Sequence, residues 1–383
     1  MAKQIKYGMV GGSINAFIGD VHRKAIAFDP RAELVCGCFS TSRQVNLETA
    51  EVYGIPTDRV YTDYKEMAKA EASRPDGIDF VSIVAPNFLH YEAAKAFLTA
   101  GINVMCEKPL CFTVEEAQEL KALADEKKLL LGVMYSYTGY VMVKVAKEMA
   151  AEGKLGDIVA VNAEFPQEWL IDDLNEERPE SDKSLSVWRK DPSKAGISNC
   201  VGDLGTHVEN LVHYITGLKI KRICATVNRY GHPLELNANM LIQYDNGVNG
   251  AYWCSQIALG NLNGLTVRIY GTKGSIEWEQ HYPDYLRYTP KLEAPVLLSR
   301  GNAYIKESAH AYSRLPFGHP EGLFVGFANV YRNYISAVMK KKTGLPLTGQ
   351  DLDFPAAEDG VNGVQFIHAV IDSADNGSVW VDL

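Results

Sequence analysis

Two short stretches of the chain carry side chains suited to moving a proton to or from an oxygen atom. The first is Glu107-Lys108-Pro109 and the second is Asp203-Leu204-Gly205-Thr206-His207. A histidine exchanges protons near neutrality, and a fixed ammonium stabilises a developing alkoxide. Together they suit oxidation of an alcohol, in which the hydroxyl proton leaves as a hydride leaves the carbinol carbon. If the turn at Asp203 is helical, the four-residue spacing puts its carboxylate and the His207 imidazole on one face, near the positive end of a helix. Each segment also has a plain structural explanation: a solvated lysine at a strand end, and an N-capped helix with a satisfied histidine. Asp203 and His207 could ligate a metal, but no third histidine or carboxylate falls at a recognisable spacing, so hydride transfer without a metal is the expectation.

Hydride transfer needs an acceptor, and the N-terminal region offers a place for one. An apolar run, Ile5 to Val10, leads into Gly11-Gly12-Ser13-Ile14-Asn15-Ala16-Phe17-Ile18-Gly19 and then a helix-like Val21 to Phe28. A strand, a glycine turn and a helix in that order form an anion site, because free helix N–H groups and the dipole face a pyrophosphate. Gly11 takes the tight turn, while Ser13 and Ala16 stand where G-x-G-x-x-G has its second and third glycines. Gly12, Phe17 and Ile18 complete the expected contacts of this turn. An acidic residue after the second strand would read the ribose diol of NAD, and none is there. The strand ends instead in Phe39-Ser40-Thr41-Ser42-Arg43. Ser40 and Arg43 could hold a 2′-phosphate, or the stretch could be a polar loop with a helix N-cap. NAD is the expected cofactor, with NADP left open.

The elements that must position these groups can be followed along the chain. Apolar runs at Ile5 to Val10, Leu34 to Phe39, Phe80 to Ala85, Ile102 to Cys106 and Leu129 to Met134 alternate with helix-like stretches, including Tyr91 to Ala100 and Val114 to Lys127. Strands apolar on both faces, joined by crossover helices, predict a doubly wound parallel sheet. Lys108 then falls at the carboxyl edge of that sheet, where ligands bind in such folds. After a helix-like Val141 to Glu152 the texture changes to alternating strands with Gly or Asn turns, at Ile220 to Tyr230, Ala238 to Tyr244, Val248 to Ile257, Leu265 to Tyr270 and Ser275 to Glu279. Asp245-Asn246-Gly247 and Gly271-Thr272-Lys273-Gly274 read as hairpin corners, which require antiparallel neighbours. The expected organisation is a dinucleotide-binding domain over 1–134 and a substrate-binding and oligomerisation domain over 135–383, the latter α+β with a large open sheet.

Composition narrows the class further. The 383 residues are 46% hydrophobic and 22% charged, which are globular values, and the length suits two cores. A formal charge of -9 argues against nucleic acid as a partner. Lys340-Lys341-Lys342 reads as the last turn of a helix. No apolar run is long enough to span a bilayer, and Met1-Ala2-Lys3-Gln4 leads into a strand without the apolar core of a signal peptide, so a cytoplasmic protein is expected. The seven cysteines form no C-x-x-C pair, and Cys36 and Cys38 alternate in a strand as buried thiols would.

Taken in order, the glycine turn, Glu107-Lys108-Pro109, Asp203-x-Gly205-x-His207 and the following antiparallel sheet resemble the Gfo/Idh/MocA family, the glucose–fructose oxidoreductase and inositol dehydrogenase group. The resemblance covers essentially the whole chain. It implies that Lys108 lies beside the nicotinamide and the substrate hydroxyl, that His207 is the acid–base residue, and that Asp203 holds substrate or histidine. It also implies that Pro86, Asn87 and His90, after the third strand, face the nicotinamide, with Glu107 beside it. Ser13 and the missing acid depart from the simplest NAD pattern and bear on cofactor choice. Tyr137, Gln167, Trp169, Trp188, Arg189 and His319 lie in loop-like stretches rich in aromatic and polar groups. Such groups suit a carbohydrate ring with apolar C–H faces and a rim of hydroxyls, although each could equally be a core or interface aromatic. The expected activity is oxidation of a cyclic polyol, sugar, anhydrosugar or glycoside. Transient oxidation without net cofactor turnover, or dinucleotide sensing without catalysis, would use the same fold. An open sheet of this size also predicts a homodimer or homotetramer.

Overall fold

The computed structural model describes residues 5–174 and 187–383, so the stretch Met1 to Gln4 lies outside the described residues. The chain divides into two compact units, Met1–Gly139 with Leu323–Val361, and Tyr140–Gly322 with Asn362–Leu383. The single cut expected after residue 134 does not anticipate the return of 323–361 to the first unit.

In the first unit β1 (Ile5–Gly11), β2 (Ala32–Cys38), β3 (Phe80–Val84), β4 (Asn103–Cys106) and β5 (Leu131–Val133) form a five-stranded parallel sheet in the order β2-β1-β3-β4-β5. Every residue of β3 and β5 is buried, as strands covered on both faces should be. The connecting helices are α1 (Phe17–Ala27), α2 (Arg43–Tyr53), α3 (Tyr64–Ser73), α4 (His90–Thr99) and α5 (Val114–Glu126). The strand order reverses between β1 and β3, and a doubly wound sheet binds its ligand at the carboxyl ends on either side of such a point. Helix α1 starts four residues before the expected Val21, because the apolar spacing reports only its buried face, Val21, Ala25 and Ile26.

The second unit holds α6 (Val141–Ala151), the short α7 (Ile171–Leu174) and α8 (Pro192–Ala195), α9 (Thr206–Thr216) and the short α10 (Glu307–His310). Its strands are β6 (Ile158–Pro166), β7 (Ile220–Asn228), β8 (Asn237–Tyr244), β9 (Asn249–Ser255), β10 (Thr266–Gly271), β11 (Gly274–Glu279), β12 (Tyr285–Pro290), β13 (Val296–Ser299) and β14 (Val381–Asp382). They make a nine-stranded sheet in the order β13-β12-β11-β10-β6-β9-β8-β7-β14. Its neighbours are antiparallel except β6 and β9, and both predicted hairpin corners join antiparallel partners. Burial alternates along β8, with Ala238, Met240, Ile242 and Tyr244 inward and Asn239 and Leu241 outward. Helices α6 and α9 pack together over the inward face. No helix among the described residues is long and apolar enough to cross a membrane.

Two long C-terminal helices, α11 (Leu323–Lys342) and α12 (Ala357–Asp375), were not legible in the strand pattern. Helix α11 packs on α1 and carries Tyr334, whose ring meets Phe80 of β3 edge-on at 5.4 Å. Its last turn is Lys340-Lys341-Lys342, as expected. Beyond it the Pro355 carbonyl accepts the Val133 N–H at 2.9 Å, which ties the returning chain to the edge strand β5. Close approach also requires Gly139, since a Cβ there would collide with the Gly326 carbonyl oxygen of α11. Gly139→Ala should therefore cost about 1–3 kcal/mol through overpacking, whereas Gly349→Ala, with open space around it, should stay within about 0.5 kcal/mol. Denaturant unfolding checks this, and equal losses in the two variants would contradict the packing described.

Candidate active site

The glycine turn sits at the carboxyl end of β1, on the β3 side of which the strand order reverses. Gly11 and Gly12 hold φ of +80° and +75°, a region that L side chains rarely adopt. A Cβ on Gly19 would run into the Gly12 Cα, so turn and helix touch backbone to backbone. Ala16 occupies the N-cap position of α1 and no side chain caps the first N–H groups. An uncapped helix start beside glycine backbone is a fitting cradle for a pyrophosphate. Ser13 accepts the Ala16 N–H at its carbonyl, 2.8 Å, and Phe17 is exposed. At the end of β2, Ser42 caps α2 by accepting from the Val45 N–H, Ser40 Oγ accepts from the Ser42 N–H at 3.1 Å, and Arg43 is exposed. The helix-cap explanation of this stretch is thus present in the structure.

Glu107, Lys108 and Pro109 follow β4 at the same sheet edge, with a cis bond between Lys108 and Pro109. Lys108 is half-buried and Glu107 is buried. One Glu107 oxygen lies 2.6 Å from His22 Nε2, and the other accepts the Lys108 backbone N–H at 3.0 Å. Burial alone would push this carboxyl up, but the His22 hydrogen bond and nearby positive charge hold it below the ordinary value. On the far side, His90 is fully buried, with Nδ1 2.7 Å from the Pro109 carbonyl and Nε2 2.8 Å from the Ala85 carbonyl. The His90 ring thus lies between two backbone carbonyls at the strand ends that flank Lys108, and in its neutral form its single N–H donates to one of them. Pro86 is exposed and Asn87 half-buried in a short 3-10 turn before it. Tyr137 belongs to this unit too, buried in a 3-10 turn over Ser136–Gly139.

In the second unit the segment around Asp203 is helical, but a π-helix spans Val201–Gly205 before α9 takes over at Thr206. Such wide turns frequently occur at functional sites. Asp203 is half-buried, His207 is 8% exposed, and the His207 ring lies 6.1 Å from that of Phe165. Gln256 Nε2 donates to Asp203 at 3.2 Å, and Arg189 Nε stands 3.8 Å from the other carboxylate oxygen. The Arg189 guanidinium also lies 5.8 Å from the Trp169 ring centre, within cation–π range. Gln167 donates to Asn263 at 2.6 Å. The π-helix begins on Glu235, whose buried carboxylate accepts from Ser198 Oγ and from the Asn199 and Val201 N–H groups. Burial pushes the Glu235 carboxyl up, against these hydrogen bonds. His319 is exposed on a loop whose backbone carbonyl at that position accepts from the buried Arg300. The Trp188 side chain lies outside the described residues. Among the described residues no group of three or more His, Cys, Asp or Glu side chains could hold a metal ion.

Comparison with known proteins decides the family. Residues 5–135 match the family described as "Oxidoreductase family, NAD-binding Rossmann fold", and residues 143–277 match the GFO/IDH/MocA C-terminal domain. The chain belongs to the GFO/IDH/MocA oxidoreductase family. It is 36% identical to YfiI, an uncharacterized oxidoreductase of Bacillus subtilis, over 100% of this chain and 98% of that protein. It is 26% identical to levoglucosan dehydrogenase of Pseudarthrobacter phenanthrenivorans, over 74% of this chain and 76% of that one. A crystal structure of an inositol dehydrogenase homolog from Azotobacter vinelandii in complex with NAD+ superposes with a TM-score of 0.92 at 34% identity, covering 100% of this chain and 98% of that one. The same homolog has been solved with NADH and myo-inositol. The first unit of this GFO/IDH/MocA protein is therefore an NAD-binding Rossmann domain, and the chain is an oxidoreductase.

Sequence reasoning missed His22, Ser82 and Tyr331, which are linked by hydrogen bonds to Glu107, and Asn199, Glu235 and Gln256, which meet the segment around Asp203. The placement of His90 carries a testable consequence for this family member. Burial is the largest influence on its imidazole and holds it below its ordinary pKa. As pH falls, the unfolded chain then takes up a proton before the folded one does. The stability this gives is complete above the ordinary value of about 6.5 and is lost as pH drops from there toward the folded value. His90→Gln keeps a donor for the carbonyls and removes the titration. Its melting temperature relative to wild type should rise as pH is lowered from about 7.5 to about 5.5. Melting curves that stay parallel across this range would contradict this placement.

Proposed function

We propose that the protein is an NAD-dependent dehydrogenase oxidising a secondary hydroxyl of a cyclic polyol, sugar, anhydrosugar or glycoside, with Lys108 and His207 as its acid–base pair. The observation that carries this reading is the place of Lys108, at the same carboxyl edge of the parallel sheet as the uncapped glycine turn. The substrate class is supported by the inositol and levoglucosan dehydrogenase relatives. It is supported too by the second unit's cluster, where the Trp169 ring offers a plane for C–H groups and Arg189, Asp203 and Gln256 offer partners for hydroxyls.

Oxidation of a carbinol separates a proton from oxygen and a hydride from carbon, and NAD, when bound, supplies the hydride acceptor. His207 takes the hydroxyl proton, and the Lys108 ammonium holds the same oxygen as its negative charge develops. Asp203 orients substrate or histidine, itself held by Gln256 and Arg189. Gly11, Gly12, Ser13, Ala16, Phe17 and Ile18 form the pyrophosphate turn, with Ser40 and Arg43 at the ribose and Pro86 and Asn87 toward the nicotinamide. Tyr137, Gln167, Trp188 and His319 are further candidates for substrate contact. The outward Leu241 and Val159 of the large sheet support association of copies through that face as a homodimer or homotetramer. A cytoplasmic location accords with this chemistry.

The test is incubation with inositols, aldoses, anhydrosugars and glycosides, each with NAD or NADP, followed by absorbance of reduced nicotinamide. Stoichiometric reduced cofactor from at least one cyclic polyol or sugar is expected, with Arg43→Ala weakening NADP use more than NAD use. Product formed without net reduced cofactor would replace this reading with transient oxidation. Tight NAD binding with no turnover of any compound would replace it with a sensing role.

A further inference from the structure

Behind Lys108 lies a chain of buried polar side chains that hydride transfer itself does not use. Ser82 of β3, Tyr331 of α11 and His22 of α1 are each fully buried, and Glu107 nearly so. Ser82 Oγ is 2.8 Å from the Tyr331 hydroxyl, which is 2.6 Å from His22 Nδ1, and His22 Nε2 is 2.6 Å from Glu107. The Glu107 carboxylate then holds the Lys108 N–H. The members come from β3, α11, α1 and the turn after β4, as far apart as 309 positions in sequence.

The chain is anchored at its last member. A carboxylate only accepts, so His22 Nε2 must donate to it. Nδ1 then pairs with the Tyr331 hydroxyl, which pairs with Ser82: if Nδ1 accepts, Tyr331 donates to it and accepts from Ser82, and if Nδ1 donates, Tyr331 accepts from it and donates to Ser82. Either orientation gives every polar atom named a partner and ends on the Glu107 carboxylate beside Lys108. An apolar core would hold these four elements together at least as well, because replacing buried charged pairs by packed apolar groups is often neutral or stabilising. What the polar chain adds is fixed geometry. It also has a definite origin, since His22 lies one turn beyond the uncapped first turn of α1.

We infer that Ser82, Tyr331, His22 and Glu107 form a positioning relay that ties the dinucleotide helix α1 to Lys108, so that filling the glycine turn sets the lysine in place. The inference rests on the proposed role of Lys108. Tyr331 comes from the segment 323–361 that returns to this unit, which makes that segment part of the apparatus around the lysine.

The test uses the full-length protein and Tyr331→Phe, His22→Ala and His22→Gln, with Lys108→Ala as a reference. A misplacement of about 1 Å in a reacting group can cost about a hundredfold in rate, so Tyr331→Phe and His22→Ala should lose about ten- to a hundredfold in kcat, with KM for the polyol and Kd for NAD changed less than about threefold. His22→Gln, which can donate to Glu107 and accept from Tyr331, should recover most of that loss. A second readout is amide hydrogen exchange of the peptide containing Lys108, with and without NAD. Wild type should gain protection there when NAD binds, and Tyr331→Phe and His22→Ala should lose that gain while melting within a few degrees of wild type. Wild-type kcat in both variants, or an undiminished NAD-dependent gain, would overturn the relay. Wild-type turnover by Lys108→Ala would instead overturn the role of the lysine, and the exchange result would show whether the mechanical tie exists without it.

Discussion

A carboxylate removed from water must be paired, and in this protein the pairing of Glu107 fixes what surrounds it. A buried charge without partners is costly enough that a chain either neutralises it or surrounds it with donors. Here the donors are His22 and the Lys108 N–H, one from α1 and one from the turn after β4. His22 in turn requires Tyr331, so α11 must return across the sequence to meet α1. The glycine turn, the lysine and the returning helix are thereby held relative to one another within a single unit.

The second unit repeats the device with different residues. Glu235 is buried and accepts from Ser198 and from two backbone N–H groups at the start of the π-helix that carries Asp203. Both candidate catalytic segments therefore begin beside a buried acid that binds backbone. Asp203 is further fixed by Gln256, which leads out of β9 and also donates to Asn199 at 3.3 Å.

Much of this was legible in the sequence because it is local. A strand, a glycine turn and a helix announce a dinucleotide site within about 20 residues, and Glu107-Lys108-Pro109 could be placed at a sheet edge from the apolar run before it. The four-residue spacing of Asp203 and His207 pointed to a helix, though the π-turn was not foreseen, since nothing in composition distinguishes i to i+5 from i to i+4 bonding. His22 sits among Val21, Ala25 and Ile26 on the buried face of α1, so periodicity reads it as core. Tyr331 is one aromatic among many in an apolar helix, and only the fold brings it to His22. Nor did motif position show that the His90 ring lies between the Ala85 and Pro109 carbonyls, which only the fold brings together.

Lys108 and His207 are proposed to act as one acid–base pair. The measurement that tests it most directly is kcat for Lys108→Ala, His207→Ala and the double variant, using the polyol or sugar that wild type turns over fastest. Each single variant should lose roughly two to four orders of magnitude. The double variant should lose little more than the worse single one, because groups that act as a unit are not additive. Losses that multiply in the double variant, or a His207→Ala enzyme that turns over at the wild-type rate, would contradict the account.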